Sequence, residues 1–157
     1  MTKHPTPEEL GEPALRVEGF QLWIHGYQFP DSTDYWDGNW LRVTAHCGGA
    51  GASVWVSGAL LMVGDLIGWA QQCDALGDGR ADAAELAPLE PELKVTVRRA
   101  DQLGHLTVTV EITPEHMTQQ HSFEFELDQT YLPEISRGCR AVARAYPVRG
   151  EESRRGV

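Results

Sequence analysis

The sequence predicts an α+β domain: a single, mostly antiparallel sheet of about six strands with two amphipathic helices packed on one face. Leu93, Val95 and Val97, then Leu106, Val108, Val110 and Ile112, then Phe123, Phe125 and Leu127 alternate with polar residues. That two-residue period belongs to a sheet with one buried and one wet face, the pattern of antiparallel pairing. Leu66, Trp69, Ala70 and Cys73, and later Leu132, Ile135, Cys139, Val142, Ala143 and Tyr146, recur instead at helical spacing. A length of 157 residues, 41% of them hydrophobic and 23% charged, suits one domain with a sizeable core.

Taken in order, residues 1–16 carry Pro5, Pro7 and Pro13 and read as a flexible leading segment. The domain itself is expected over 17–149. Phe20, Leu22 and Ile24 alternate with Gln21, Trp23 and His25 in a first strand, and Gly26 to Gly38 is a loop rich in Pro, Ser and Asp. A second strand starts at Asn39, and Gly48, Gly49 and Gly51 turn the chain into a third, Ser53–Met62. Asp65 offers an N-cap to the first helix, which Gly77-Asp78-Gly79 ends. The three alternating runs supply the remaining strands. A last helix spans about 130–146, with Pro133 tolerated in its first turn. Residues 150–157 read as a flexible basic tail. No internal repeat is visible.

The chain has 13 Lys and Arg against 23 Asp and Glu, for a formal charge of −10. Residues 1–136 hold 7 of those cations and 21 of the acids, whereas 137–157 hold 6 and 2. Direct binding of nucleic acid needs a concentrated positive surface, so this composition argues against it. No apolar run approaches the roughly 18–20 residues of a membrane span, and no secretory leader pattern opens the chain. Cys47, Cys73 and Cys139 are odd in number and far apart, which fits a reducing compartment and a cytoplasmic location.

Asp74 to Glu85 resembles a calcium loop, with acids at positions one, five, nine and twelve and Gly79 at six. Leu76 stands where an oxygen ligand is needed, and Pro88 and Pro91 oppose an exiting helix, so an acidic turn is expected and no metal is assigned. His25, His46 and His105 gather on the open sheet face only if the strand order allows it. Gly-x-Ser-x-Gly, phosphate-loop and dinucleotide patterns are missing, so no catalytic residue and no cofactor is assigned, and an enzyme is not expected. The stretch Tyr27–Trp40 differs in kind. Large aromatics mixed with carboxylates suit protein recognition, because Tyr and Trp give contact area at low entropic cost.

The same residues carry a family resemblance. Phe20-Gln21-Leu22-Trp23-Ile24, Gly26-Tyr27-Gln28-Phe29-Pro30 and Asp37-Gly38-Asn39-Trp40-Leu41 are similar in order to the WapI-type immunity proteins of bacterial polymorphic toxin systems. Asp65-Leu66 with Trp69, Glu90-Pro91-Glu92-Leu93, Phe123-Glu124-Phe125 and Tyr146-Pro147-Val148-Arg149 continue the match. Gly38 departs from it, since a bulkier or Ala-like residue is expected there. The resemblance implies a small protein that binds and neutralises a cognate toxin C-terminal domain. The founding example opposes a nuclease acting on transfer RNA, which makes a nuclease one candidate partner. Under this reading Tyr35, Trp36, Asp37 and Trp40, with Asp78, Asp82 and Glu85 of the acidic stretch, are the expected contacts. The alternative is a small-ligand or metal-binding domain that uses His46, His105 and Thr107 on the polar sheet face.

Overall fold

The computed structural model describes residues 5–150. Of the expected flexible segments, residues 1–4 and 151–157 lie outside the described ones. The elements in order are α1 (Pro7–Leu10), β1 (Leu15–Val17), β2 (Phe20–Tyr27), α2 (Tyr35–Gly38), β3 (Trp40–Gly49), β4 (Ala52–Met62) and α3 (Val63–Gly77). They continue with β5 (Ala83–Leu86), β6 (Leu93–Arg99), β7 (His105–Ile112), β8 (Ser122–Asp128) and, after a short 3₁₀ turn, α4 (Leu132–Ala145).

The expected single six-stranded sheet with two helices is replaced by two separate four-stranded antiparallel sheets and four helices. Strands run in the order β1-β2-β3-β4 in one sheet and β5-β6-β7-β8 in the other. Two physical reasons explain the difference. β1 and β5 have three and four residues, too few to display a period. Alternation also states which face of a strand is buried without stating what buries it. Here the apolar faces of two sheets share one continuous core, which includes Phe20, Leu22, Val43, Val95, Val108 and Ile112. Glycine permits the closest approach: a Cβ on Gly19 would stand 2.1 Å from the Gly48 carbonyl and 2.8 Å from the Phe125 ring.

The chain therefore passes twice through the same plan, four strands and a helix. The buried stripes of α3 and α4 superpose at one offset: Leu66, Trp69, Ala70, Cys73 and Leu76 match Leu132, Ile135, Ser136, Cys139 and Val142, each pair 66 residues apart (132 less 66). The packing is reciprocal. α3 lies against β5, α4 lies against β1, and the two helices pack on each other. At their contact Asp74 meets its own counterpart Arg140 at 2.6 Å, as a local two-fold relation requires. α3 begins two residues before the predicted cap. Asp65 sits at its third position and reaches back to accept the Met62 N–H at 2.7 Å.

Candidate functional site

The connection between β2 and β3 runs through residues 28–39, longer than the median link of about 4–6 residues in compact domains. Asp34 shapes its middle: one carboxylate oxygen accepts from the N–H groups of Trp36 and Asp37 at 3.0 and 2.9 Å, starting the single turn α2. Tyr35 and Trp36 meet edge to face with ring centres 5.0 Å apart. Tyr35, Trp36 and Trp40 are half-buried and Asp37 is exposed, so the structure brings the four expected loop residues to one neighbourhood. Gly38, the departure from the family pattern, is buried. A Cβ there would lie 3.0 Å from the Ser32 carbonyl, so a bulkier or Ala-like residue would need the Ser32 backbone to give by a few tenths of an ångström.

What fastens this loop is the segment that follows α4, 146–150. The Arg149 guanidinium lies over the Tyr27 ring at 3.4 Å. Its Nη1 also stands 3.2, 2.8 and 2.5 Å from the carbonyl oxygens of Phe29, Pro30 and Ser32. Asn39, buried to 1% exposure, accepts from the Arg149 N–H at 2.8 Å and donates to the carbonyls of Arg149 and Tyr35 at 2.9 and 2.6 Å. The Tyr27 hydroxyl donates to the Pro147 carbonyl, and Tyr146 meets the Tyr27 ring edge to face. Asn39 and Arg149 were not singled out as site residues from the sequence. The usable signal was slight: one asparagine in the whole chain, opening a strand, and an arginine just past the last helix.

The acidic candidates lie elsewhere. A Cβ on Gly64, near the start of α3, would be 4.0 Å from the Tyr35 hydroxyl, whereas Asp78 follows the other end of that helix. At 1.5 Å per residue the two ends are about 20 Å apart. Asp78 pairs with Arg80 at 3.0 Å, Asp82 with Arg99 at 3.6 Å and Glu85 with Lys94 at 3.5 Å. Each expected carboxylate already has a cation beside it. A shallow groove of about 250 Å³, lined by Gly64, Asp65, Gly68, Gln72, Glu85 and Ala87, runs along α3 between the two regions. The calcium-loop likeness dissolves in the fold. Glu85 sits in β5 opposite Thr96, and Asp74 is held by Arg140.

The histidines do not gather. His25 and His46 are on the outer face of the first sheet, bonded to Thr44 and Ser53 hydroxyls at 2.7 Å each, whereas His105 and Thr107 belong to the second. Burial pushes the His46 pKa down; burial and then the Arg42 charge do the same to His25. His105 is raised instead, through its hydrogen bond and then its charge contact with Asp101, whose carboxyl is lowered in return. With Glu18, Glu126 and Asp128 they line an open cleft of about 490 Å³. Burial raises the thiols of Cys47, Cys73 and Cys139 to about 12, so all three stay protonated at neutral pH and none is a ready nucleophile. Among the described residues no three His, Cys, Asp or Glu side chains are placed to hold a metal ion, and no helix is long and apolar enough to cross a membrane.

Fold and site define a two-sheet α+β protein that displays an aromatic–acidic loop clamped by the segment that follows its last helix. The chain belongs to the immunity protein WapI-like family, whose model matches residues 15–147. No curated protein matches the chain. Among solved structures, it is similar to WHY1 from Arabidopsis thaliana, known from a crystal structure, at 8% identity over 82% of this chain and 84% of that one, with a TM-score of 0.44.

Proposed function

We propose that the protein neutralises a cognate toxin C-terminal domain by stoichiometric binding, using surface contacts and no chemistry of its own. Family membership supports the class. The observation that carries the site is the loop 28–39, where Tyr35, Trp36, Asp37 and Trp40 share a neighbourhood and a fixed backbone. Aromatic anchors beside a carboxylate are the side chains on which binding energy concentrates. Asp78, Asp82 and Glu85 form a secondary contact in this reading. The chain's net charge of −10 draws a basic partner in at long range, and these three carboxylates, now paired with Arg80, Arg99 and Lys94, meet it at contact. Action in the cytoplasm is supported by three unpaired cysteines. The ligand-binding alternative loses His46, which stands on the other sheet, and keeps the cleft that His105 and Thr107 line.

The test begins with capture of the partner on the tagged protein at low and high salt. Against that partner, Trp36→Ala with Asp37→Ala should cost at least about 2 kcal/mol of affinity, the scale of a binding hot spot. Unchanged affinity would remove the loop from the interface. Neutralising Asp78, Asp82 and Glu85 together should slow association at low salt and leave it unaltered at high salt. An on-rate insensitive to salt in the parent protein would end the steering argument.

A further inference from the structure

We infer that the segment 146–150 is a positioning strap: Arg149, Asn39 and Gly150 set the shape in which loop 28–39 meets its partner. The inference rests on the binding role just proposed for that loop, and two of its three residues, Arg149 and Gly150, lie beyond the matched stretch, which ends at 147.

The argument begins with conformational entropy. Twelve connecting residues between two strands have many shapes available, and only one turn among them is capped locally, by Asp34. Ring-bearing loops bind tightly when their shape exists beforehand, because ordering is then not charged against the contact. Here the missing order comes from 117 residues away. A single guanidinium nitrogen of Arg149 gathers the carbonyls of Phe29, Pro30 and Ser32. The buried Asn39 amide then ties the strap's backbone to the loop's far end, accepting one bond and donating two.

Gly150 completes the fit. Its φ of +69° lies in the region that favours glycine, and a Cβ there would fall 2.8 Å from the Tyr35 nitrogen and 2.9 Å from the Thr33 carbonyl. The strap therefore lies flush on the backbone that carries Tyr35 and Trp36. It touches the loop from behind and leaves the Asp37 side chain exposed.

Hydrogen exchange on the free, full-length protein tests this without any partner. The probes are the amides of Gln28, Ser32, Trp36 and Gly38, all hydrogen-bonded within the loop or to its base. In Arg149→Met, which keeps bulk and loses every side-chain donor, they should exchange at least about tenfold faster, while the paired amides of β3 and β4 keep their rates. Arg149→Lys, with three donors for the same three carbonyls, should restore most of the protection. Gly150→Ala should loosen Trp36 and Gly38 through a different atom set. Unchanged loop exchange in Arg149→Met would overturn the inference. So would a uniform rise across β3 and β4, which would make the strap a general stabiliser. Failure of the binding role would show separately, as unaltered affinity in the Trp36 and Asp37 variant with the exchange result intact.

Discussion

The two halves of the molecule close one and the same joint by opposite means. In each, a helix rests on the first strand of the other half, and positions 72 and 138 correspond. The Gln72 side chain accepts from the Glu85 N–H at 2.9 Å and donates to the Glu85 carbonyl at 3.2 Å, acting as a stand-in strand along the edge of β5. At Gly138 there is no side chain at all. A Cβ there would meet Leu15 Cδ2 at 2.4 Å and the Ala14 carbonyl at 3.2 Å, so α4 presses directly on β1. Repetition here preserves which face is buried and leaves contact chemistry free. The connections diverge further: β2 and β3 are joined by residues 28–39, whereas the matching β6 and β7 are joined by 100–104. What one half has and its twin lacks is the clamped loop.

The comparison can be broken first at its most buried pair. Trp69 is fully buried and its counterpart Ile135 nearly so. Trp69→Ala should cost about 3–5 kcal/mol in urea unfolding, and Ile135→Ala about 2–5 kcal/mol. A larger loss at Ile135 would show that the halves do not rank by buried volume. Trp69→Phe should cost far less than Trp69→Ala, since the indole N–H is buried without a hydrogen-bond partner.

The joint itself comes next. Gly138→Ala should cost about 1–3 kcal/mol by overpacking, against about 1 kcal/mol for Gln72→Ala, which deletes two bonds at an exposed edge. Equal losses would mean that packed and bonded joints are interchangeable. The smallest effect is at the helix contact. The hydrogen bond from Arg140, followed by one from Ser136, holds the Asp74 carboxyl below its ordinary range. A depressed folded pKa means stability that is present above about pH 4 and lost as the pH falls through the folded value. Asp74→Asn should therefore flatten the decline of stability between pH 5 and pH 3. A decline as steep as that of the parent would exclude the pair.

Much of the strand and helix pattern was readable, because Val95, Val108 or Cys139 report their burial through spacing alone. The number of sheets was not, since a strand's period is the same whether a helix or a second sheet covers it. The repeat stayed hidden for a related reason. Only Leu66 with Leu132 and Cys73 with Cys139 are identical among the matched buried positions, and burial tolerates Trp for Ile or Leu for Val. At the loop, the aromatic residues stood out by composition. Their shape depends on Arg149, more than a hundred residues distant, and no local rule connects an arginine to three remote carbonyls.

The edge strand β8 has a consequence for how the protein behaves in a crowd. Glu124, Glu126 and Asp128 stand exposed along it, one on every second residue. Two molecules aligning there in antiparallel fashion would set carboxylate against carboxylate, and like charges placed opposite oppose pairing. Fibre growth from this edge is thereby discouraged at neutral pH. High salt, by screening the three charges, withdraws that protection, so concentrated stocks keep best at low ionic strength.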